Sequence, residues 1–167
     1  YQMAAAMAYQ FSDYLLLAQA GARYPTSEAI AQFFSSFTIL LNSADLFFLF
    51  LISAYFLRRF GLRGGLLANP VVGMFIFAMT AVVGFATGTS SSLFFGLVVM
   101  ARISNITLTD GTTRTSVNAT YQALPESERI SVQTGAEGIG GPLALGLVGV
   151  ILLVFNTISG LTIMHIV

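Results

Sequence analysis

Charged side chains that interrupt long apolar stretches are the first candidates for chemistry in this sequence. Asp13, Asp45 and Arg102 each fall near the middle of a different stretch of this kind. A charge at the centre of a bilayer costs about 3 kcal/mol on insertion scales, so such residues pair with one another or mark a substrate or ion pathway. Asp13 and Arg102 have similar predicted depths, and we predict that Arg102 lies within salt-bridge distance of Asp13 or Asp45. The alternative to a pathway is a buried structural ion pair between helices.

Glu137 marks a second candidate site, because it lies just before an apolar stretch that starts near Ile139. We predict that it is a gating contact at the mouth of a pathway, with Arg114 as its first partner and Arg58 as its second. The alternative is a solvated charge on an interfacial part of its helix. Asp110 and Arg114 stand one helical turn apart with the acid first, which predicts a local ion pair.

A group of small residues follows Glu137 and predicts a hinge. Gly138, Gly140 and Gly141 precede Pro142, which has no backbone N–H and leaves the carbonyl of Gly138 without its helical donor. Glycines also allow another helix to approach closely. We therefore predict one helix over 127–155 that bends or thins at this group. The spacing matches neither a phosphate-binding loop nor the dinucleotide pattern of glycines.

The composition predicts a membrane protein. Of its 167 residues, 56% are hydrophobic and only 8% are charged, whereas soluble domains carry about 25% charged residues. The chain has seven arginines, no lysine, no cysteine and one histidine. The sequence has no basic patch of the kind that would predict a nucleic-acid partner. It also has no nucleophile–base pair of the kind that would predict an enzyme. Neither a metal nor another cofactor is predicted, because His165 has no second ligand nearby in the sequence.

Six apolar stretches predict an all-α, polytopic membrane helix bundle, with 1–167 as a single transmembrane domain and a fragment of a longer chain. A spanning helix needs about 20 mainly apolar residues. Five arginines fall in the segments 58–63 and 114–129. The excess of positive charge predicts that both segments are cytoplasmic and that the protein is integral to the plasma (inner) membrane. The predicted spans are 1–20, 28–57, 70–87, 93–118, 127–155 and 161–167.

Two segments, 24–70 and 118–153, resemble a known family. They are similar to the second six-helix half of major-facilitator-type transporters, and the nearest branch is that of the nucleotide (ATP:ADP) translocase-like proteins. The most specific part is the pattern YQ-LP-ESER-SVQT-EG-GGP over 121–142. The resemblance implies half of a major-facilitator-like fold and alternating access about a midplane site. It also implies that Asp13, Asp45 and Arg102 face the cavity, with Glu137 near its cytoplasmic mouth.

The sequence departs from that branch in its basic residues. Nucleotide carriers are expected to hold phosphates with several basic side chains, including lysine. This chain has no lysine and a single arginine, Arg102, in the middle of a predicted span. A nucleotide is therefore disfavoured as the substrate.

Two functions from different classes are predicted. The first is half of a secondary transporter for a small polar or anionic solute, in which Arg102 meets the negative charge and Asp13 or Asp45 exchanges a proton or balances Arg102. The second is a non-transporting transmembrane structural subunit of a larger membrane complex, bioenergetic or photosynthetic. The expected partners are the bilayer and either the missing half of the parent chain or other membrane subunits. Convergence of the three charges on a polar cavity would favour transport, and their pairing with neighbours would favour the subunit.

Overall fold

Long runs of leucine, alanine, phenylalanine and valine with few helix breakers make this chain helical over almost its whole described length. The computed structural model describes residues 2–157, apart from the side chains of residues 2, 155 and 156, and this range is all-α. π-Helical segments at Phe48–Ser53, Thr109–Thr113 and Thr134–Gly140 join consecutive helices, so that four continuous helical segments result. The helices are α1 (Gln2–Arg23), α2 (Ser27–Phe47), α3 (Ala54–Thr87), α4 (Ser92–Leu108), α5 (Arg114–Gln122), α6 (Glu126–Gln133) and α7 (Gly141–Thr157).

Three of these segments are long and apolar enough to cross a membrane: Ser27–Thr87, Ser92–Gln122 and Glu126–Val154. The predicted count of six spans is therefore wrong. The predicted spans 28–57 and 70–87 fall within one of these segments, because the arginine-bearing stretch between them is helical on both sides of Gly61. Arginine and leucine are good helix formers and favour helix up to and after this glycine.

The remaining two predicted spans have different outcomes. α1 covers most of 1–20 and is long enough to cross a membrane, but its glutamines, serine and aspartate leave it outside the apolar set. The predicted span 161–167 and His165 lie outside the described residues.

The segment Ser27–Thr87 doubles back at Gly61. This glycine has φ 67° and ψ −173°, a conformation that is essentially restricted to glycine. In a straight helix Phe37 and Phe77 would lie about 60 Å apart, yet both belong to one hydrophobic cluster. The arms on either side of Gly61 therefore run in opposite directions.

α4 is the central helix of the described bundle, with α1, α2 and α3 packed around it. Its Phe94 and Val98 are buried together with Leu15 and Leu16 of α1 and Phe37 of α2. Burial of side chains of this size stabilises a packed interior through close contact. Most other large apolar side chains point outwards, which suits a helix bundle surrounded by lipid.

The turns Arg23–Thr26 and Gly88–Ser91 form one end of the bundle, here called the turn end. The Arg23 guanidinium donates to the Ser92 hydroxyl at 2.5 Å and lies 5.1 Å from the centroid of the Phe95 ring. Tyr24 meets the same ring edge-on. These contacts join the two turns.

The other end, here called the hinge end, holds Gly61 and the turn at 123–125. Gly65 of α3 packs against Ser116 of α5, and the Asn69 amide donates to the Thr109 hydroxyl at 2.9 Å. The segments 58–63 and 114–129, which carry five arginines, therefore lie towards the same end of the described bundle. Which face of the membrane this is remains a prediction.

Substituting Gly61 with alanine should strain the reversal. We expect Gly61→Ala to lower the free energy of unfolding by about 2 kcal/mol, because a Cβ disfavours this backbone conformation. The measurement is denaturant unfolding of the purified chain in mixed micelles. Gly96→Ala is the matched control, since Gly96 is helical and an added Cβ there would meet no atom of another helix within 4 Å. Equal stability of both variants would show that Gly61 is not under conformational constraint.

Candidate functional site

The ion pair between Arg102 and Asp13 joins α4 to α1 in the middle of the bundle. Nη2 of Arg102 lies 2.8 Å from Oδ1 of Asp13, which confirms the predicted pairing. Nη1 of Arg102 donates to the Tyr9 carbonyl at 3.1 Å and to the Ser12 hydroxyl at 3.3 Å. The guanidinium carbon lies 3.9 Å from the centroid of the Tyr9 ring.

All these partners come from one turn of α1, so the turn forms a receptor for the guanidinium. The Ser12 hydroxyl donates to the Tyr9 carbonyl at 2.8 Å and is thereby held in place. The Arg102 side chain is 7% exposed and that of Asp13 is 38% exposed. The arginine is therefore fully engaged within the protein, whereas the carboxylate keeps access to its surroundings. Their role in a pathway remains a prediction.

Asp45 lies apart from this pair, so the three mid-helix charges do not converge. It forms no ion pair with any residue in 2–157, and its buried Oδ1 has no hydrogen-bond partner there. Its charged neighbours are Asp110 and Arg114. Sequence position placed Asp45 within reach of Arg102, but its side of α2 faces the junction of α4 and α5 instead.

Asp110 and Arg114 form the predicted local ion pair, with Oδ1 and Nη1 2.8 Å apart. In the described structure Arg114 is therefore not the ion-pair partner of Glu137, and the predicted gating contact is not formed. Glu137 instead accepts a hydrogen bond from Nε2 of Gln133 at 3.4 Å. Arg58, the second predicted partner, is exposed on α3 and forms no ion pair with the described residues. Asp110 lies four residues from Arg114, and Gln133 lies four residues from Glu137. Each of these contacts forms within one helical segment and needs no approach of a second helix, so Arg114 and Glu137 pair locally instead of with each other.

A cavity of about 630 Å³ opens at the hinge end between α1, the junction of α4 and α5, and the start of α7. This volume lies in the range of small-ligand sites, about 300–1,000 Å³. Glu137 and Arg114 share this cavity without touching as an ion pair. Arg102 and Asp13 do not line it. Its polar lining consists chiefly of Tyr9, Gln10, Asp110, Arg114, Asn118 and Glu137.

The predicted hinge coincides with a change of helix geometry. The continuous segment Glu126–Val154 becomes π-helical over Thr134–Gly140, which contains Gly138 and Gly140, and α7 then starts at Gly141 with Pro142 second. A π-helical turn inside an α-helix is often found at functional sites. Glu137 lies within this π-helical segment, and a bending motion there remains a prediction.

A second π-helical junction was not predicted from the sequence. Gly111 packs directly on the Phe48 ring, where an added Cβ would lie 2.5 Å from a ring carbon, and its carbonyl accepts a hydrogen bond from Ser53. Two π-helical segments, Phe48–Ser53 and Thr109–Thr113, therefore meet. The polar run Thr109–Thr113 within an apolar stretch was the signal for this junction.

A second cavity of about 500 Å³ lies between α1, α3 and α4 and is mainly apolar. Nothing in the spacing of the sequence predicted it, because its walls come from three helices far apart in the chain. Two buried amides contribute to these walls. Its lining includes Ala8, Phe11, Asn69, Met74, Phe77 and Asn105.

Comparison with known proteins adds no family to this description. No protein-family model, curated protein or solved structure matches the chain. The fold and the site define an all-α protein with three helical segments of membrane-spanning length and a polar cavity at one end.

Removing Arg102 should cost more stability than removing Arg114. We expect Arg102→Leu to lower the free energy of unfolding by about 2 kcal/mol, less than for a fully buried pair because Asp13 is partly exposed. Arg114→Leu is the control, with an expected loss of about 0.5 kcal/mol for an exposed i,i+4 pair. Unfolding in mixed micelles measures both.

A double variant separates the ion pair from simple packing. Combining Asp13→Asn with Arg102→Leu removes the unpaired carboxylate, so part of the lost stability should return. Strictly additive losses would show that the two side chains are not energetically coupled.

Proposed function

We propose that this chain is half of a secondary membrane transporter that moves a small polar solute by alternating access. The observation that supports this best is the cavity at the hinge end. A space large enough for a small molecule, lined by Asp110, Arg114 and Glu137, lies in an otherwise apolar bundle. Ionisable groups retained in such surroundings are expected to serve a solute or ion.

The pathway proposed here starts at this cavity and leads towards the Arg102–Asp13 pair. Tyr9 lines the cavity and also lies under the Arg102 guanidinium, so it connects the two sites. The partly exposed carboxylate of Asp13 is then the first group that a solute meets beyond Tyr9. Arg102 orients Asp13 in this proposal and does not itself hold the solute.

The gate proposed for this pathway uses Arg114 as a charge that changes partner. It pairs with Asp110 in the described conformation, while Glu137, in the same cavity, forms no ion pair with any residue that the structure describes. Reorientation of the π-helical segment Thr134–Gly140 would bring Glu137 to Arg114 and narrow the mouth. Gly138, Gly140, Gly141 and Pro142 serve as the hinge of this movement, and Arg58 remains the reserve partner.

The resemblance to major-facilitator-type transporters is consistent with this proposal and supplies its alternating-access mechanism. The membrane partners proposed are the bilayer and a second half, from the parent chain or another subunit. We place the protein in the plasma (inner) membrane, with the segments 58–63 and 114–129 on the cytoplasmic side because they carry five arginines. On this basis the cavity opens to the cytoplasm.

A non-transporting structural subunit of a larger membrane complex is the second candidate. The pairing of Arg102 with Asp13 favours it, since these charges need no solute to compensate them. The outward face of the segment Ser27–Thr87 also offers large apolar side chains, such as Phe50 (80% exposed) and Met74 (75% exposed), to lipid or to other subunits. In this case the cavity would be a passive crevice.

Cysteine accessibility and solute uptake together decide between these candidates. The chain has no cysteine, so Ala136→Cys places a single thiol in the cavity wall. We expect a water-soluble thiol reagent to modify this cysteine from the hinge side in liposomes, and the buried Ala144→Cys control to stay unmodified. The full-length parent should also accumulate at least one polar solute from a metabolite mixture, measured by mass spectrometry.

The variant Glu137→Gln tests the gate in the same assays. We expect it to alter both the uptake rate and the modification rate of the cysteine at 136, without loss of folded protein. If the uptake rate and the modification rate both equal the wild-type values, Glu137 is a solvated charge without a gating role. Absence of any uptake, with a cysteine at 136 that reacts at a constant rate, would support the structural subunit instead.

A further inference from the structure

We propose that the hinge-end cavity selects small organic cations, so that positive charge is the recognition feature of its solute. This inference rests on the proposed function and specifies its substrate class. It differs from the expectation of a polar or anionic solute in the sequence analysis. The cavity defines the site, and the balance of charges around it sets the sign.

The charges that line the cavity have an acidic excess. Asp110, Arg114 and Glu137 are the ionisable carboxylates and guanidinium in its wall, which gives two negative charges and one positive charge. Arg114 is neutralised by Asp110 at 2.8 Å. Glu137 therefore remains as an uncompensated negative charge, with only the neutral Gln133 amide as its partner among the described residues.

A third carboxyl group, that of Asp45, lies near Asp110 and Arg114 but does not line the cavity. Its charged neighbours are Asp110 and Arg114, and it has no ion-pair partner of its own in the described part of the chain. Two carboxylates thus share one arginine at this junction. A cavity with low-dielectric walls focuses such a field and concentrates ions of opposite sign.

The other arginines are unable to reverse this sign. Arg102 is engaged by Asp13 and two acceptors on α1, and Arg129 donates to the carbonyls of Gln122 and Leu124. Arg23 lies at the turn end, where it donates to Ser92. The remaining three, Arg58, Arg59 and Arg63, are exposed on α3 and do not line the cavity.

The neutral groups of the wall also suit a cation. Tyr9, Gln10 and Asn118 contribute a phenol and two amides, whose oxygens accept hydrogen bonds from an ammonium group. The only arginine that an anion would meet in this wall is Arg114, which is already paired with Asp110.

The test measures the electrostatic potential in the cavity with charged thiol reagents. Ala6→Cys places a single cysteine on α1, in the cavity wall but on a different helix from every cavity acid. Its modification rates are compared for cationic trimethylammonioethyl and anionic sulfonatoethyl methanethiosulfonate, in nanodiscs of zwitterionic phosphatidylcholine. Ser90→Cys, exposed at the turn end, gives the reference ratio of the two rates.

We expect the cation-to-anion rate ratio at residue 6 to exceed the reference ratio by about tenfold at low salt. Adding Glu137→Gln should reduce this excess to about threefold, and 0.5 M salt should reduce it as well. Glu126→Gln, an exposed acid of α6 outside the cavity, is the matched control and should leave the ratio unchanged. A rate ratio at residue 6 that is at or below the reference ratio overturns the inference. So does a rate ratio that is unchanged by Glu137→Gln.

A competition experiment extends the test from potential to ligand. The diamine 1,5-diaminopentane and the dianion glutarate have the same chain length, and each is used to slow modification of the cysteine at 6 by neutral methyl methanethiosulfonate. Stronger protection by the diamine supports the inference, and equal or weaker protection overturns it. Failure of the neutral reagent to react at all would show that no water-filled cavity exists, which removes the proposed function itself.

Discussion

The position of α1 against α4 is set by one guanidinium. An arginine that is 7% exposed inside an apolar bundle must be matched by acceptors, and one turn of α1 provides a carboxylate, a carbonyl, a hydroxyl and an aromatic face. This match fixes both the rotation of α1 about its axis and its height along α4. The preceding turns of α1 then become one wall of the cavity, and α7 packs on the same helix. A local ion pair therefore determines where the polar site can form.

The two ends of the bundle differ in how they are held. At the turn end, aromatic rings and short capped turns join the helices, and Ser91 caps α4 by accepting from the Phe94 amide. At the hinge end, the helices are joined by polar contacts and by close approach of their backbones. Examples are the contact of Ser53 with Gly111 and that of Asn69 with Thr109. Wider helical turns and polar contacts are compatible with adjustment, whereas interlocked rings are not. The cavity lies at the end that can adjust.

The sequence predicted the features that depend on periodicity and on the cost of charge. The helical class, the Arg102–Asp13 pair, the Asp110–Arg114 pair and the position of the altered helix near Gly138 could all be derived from spacing. The spans could not be counted, because an arginine-rich helix and an arginine-rich loop have the same composition, and Gly61, where the segment reverses, is one of three glycines in that stretch. The location of Asp45 and the walls of both cavities also depend on helix rotations. Those are fixed by contacts such as Gly111 with Phe48, which link residues far apart in the chain.

The π-helical segments carry a consequence for how this chain can change in evolution. A π-helical turn holds one more residue than the α-helical turn it replaces, so it acts as an insertion that the helix absorbs without a loop. Deleting a single residue from Thr109–Thr113 would let α4 and α5 fuse into one regular α-helix. Because the π-helical turn and the α-helical turn that replaces it each complete one revolution, the later side chains of that helix would keep their directions. Arg114 would stay in the cavity wall and Ser116 would stay against Gly65, so the loss of one codon would act on the junction itself, where Gly111 packs on the Phe48 ring.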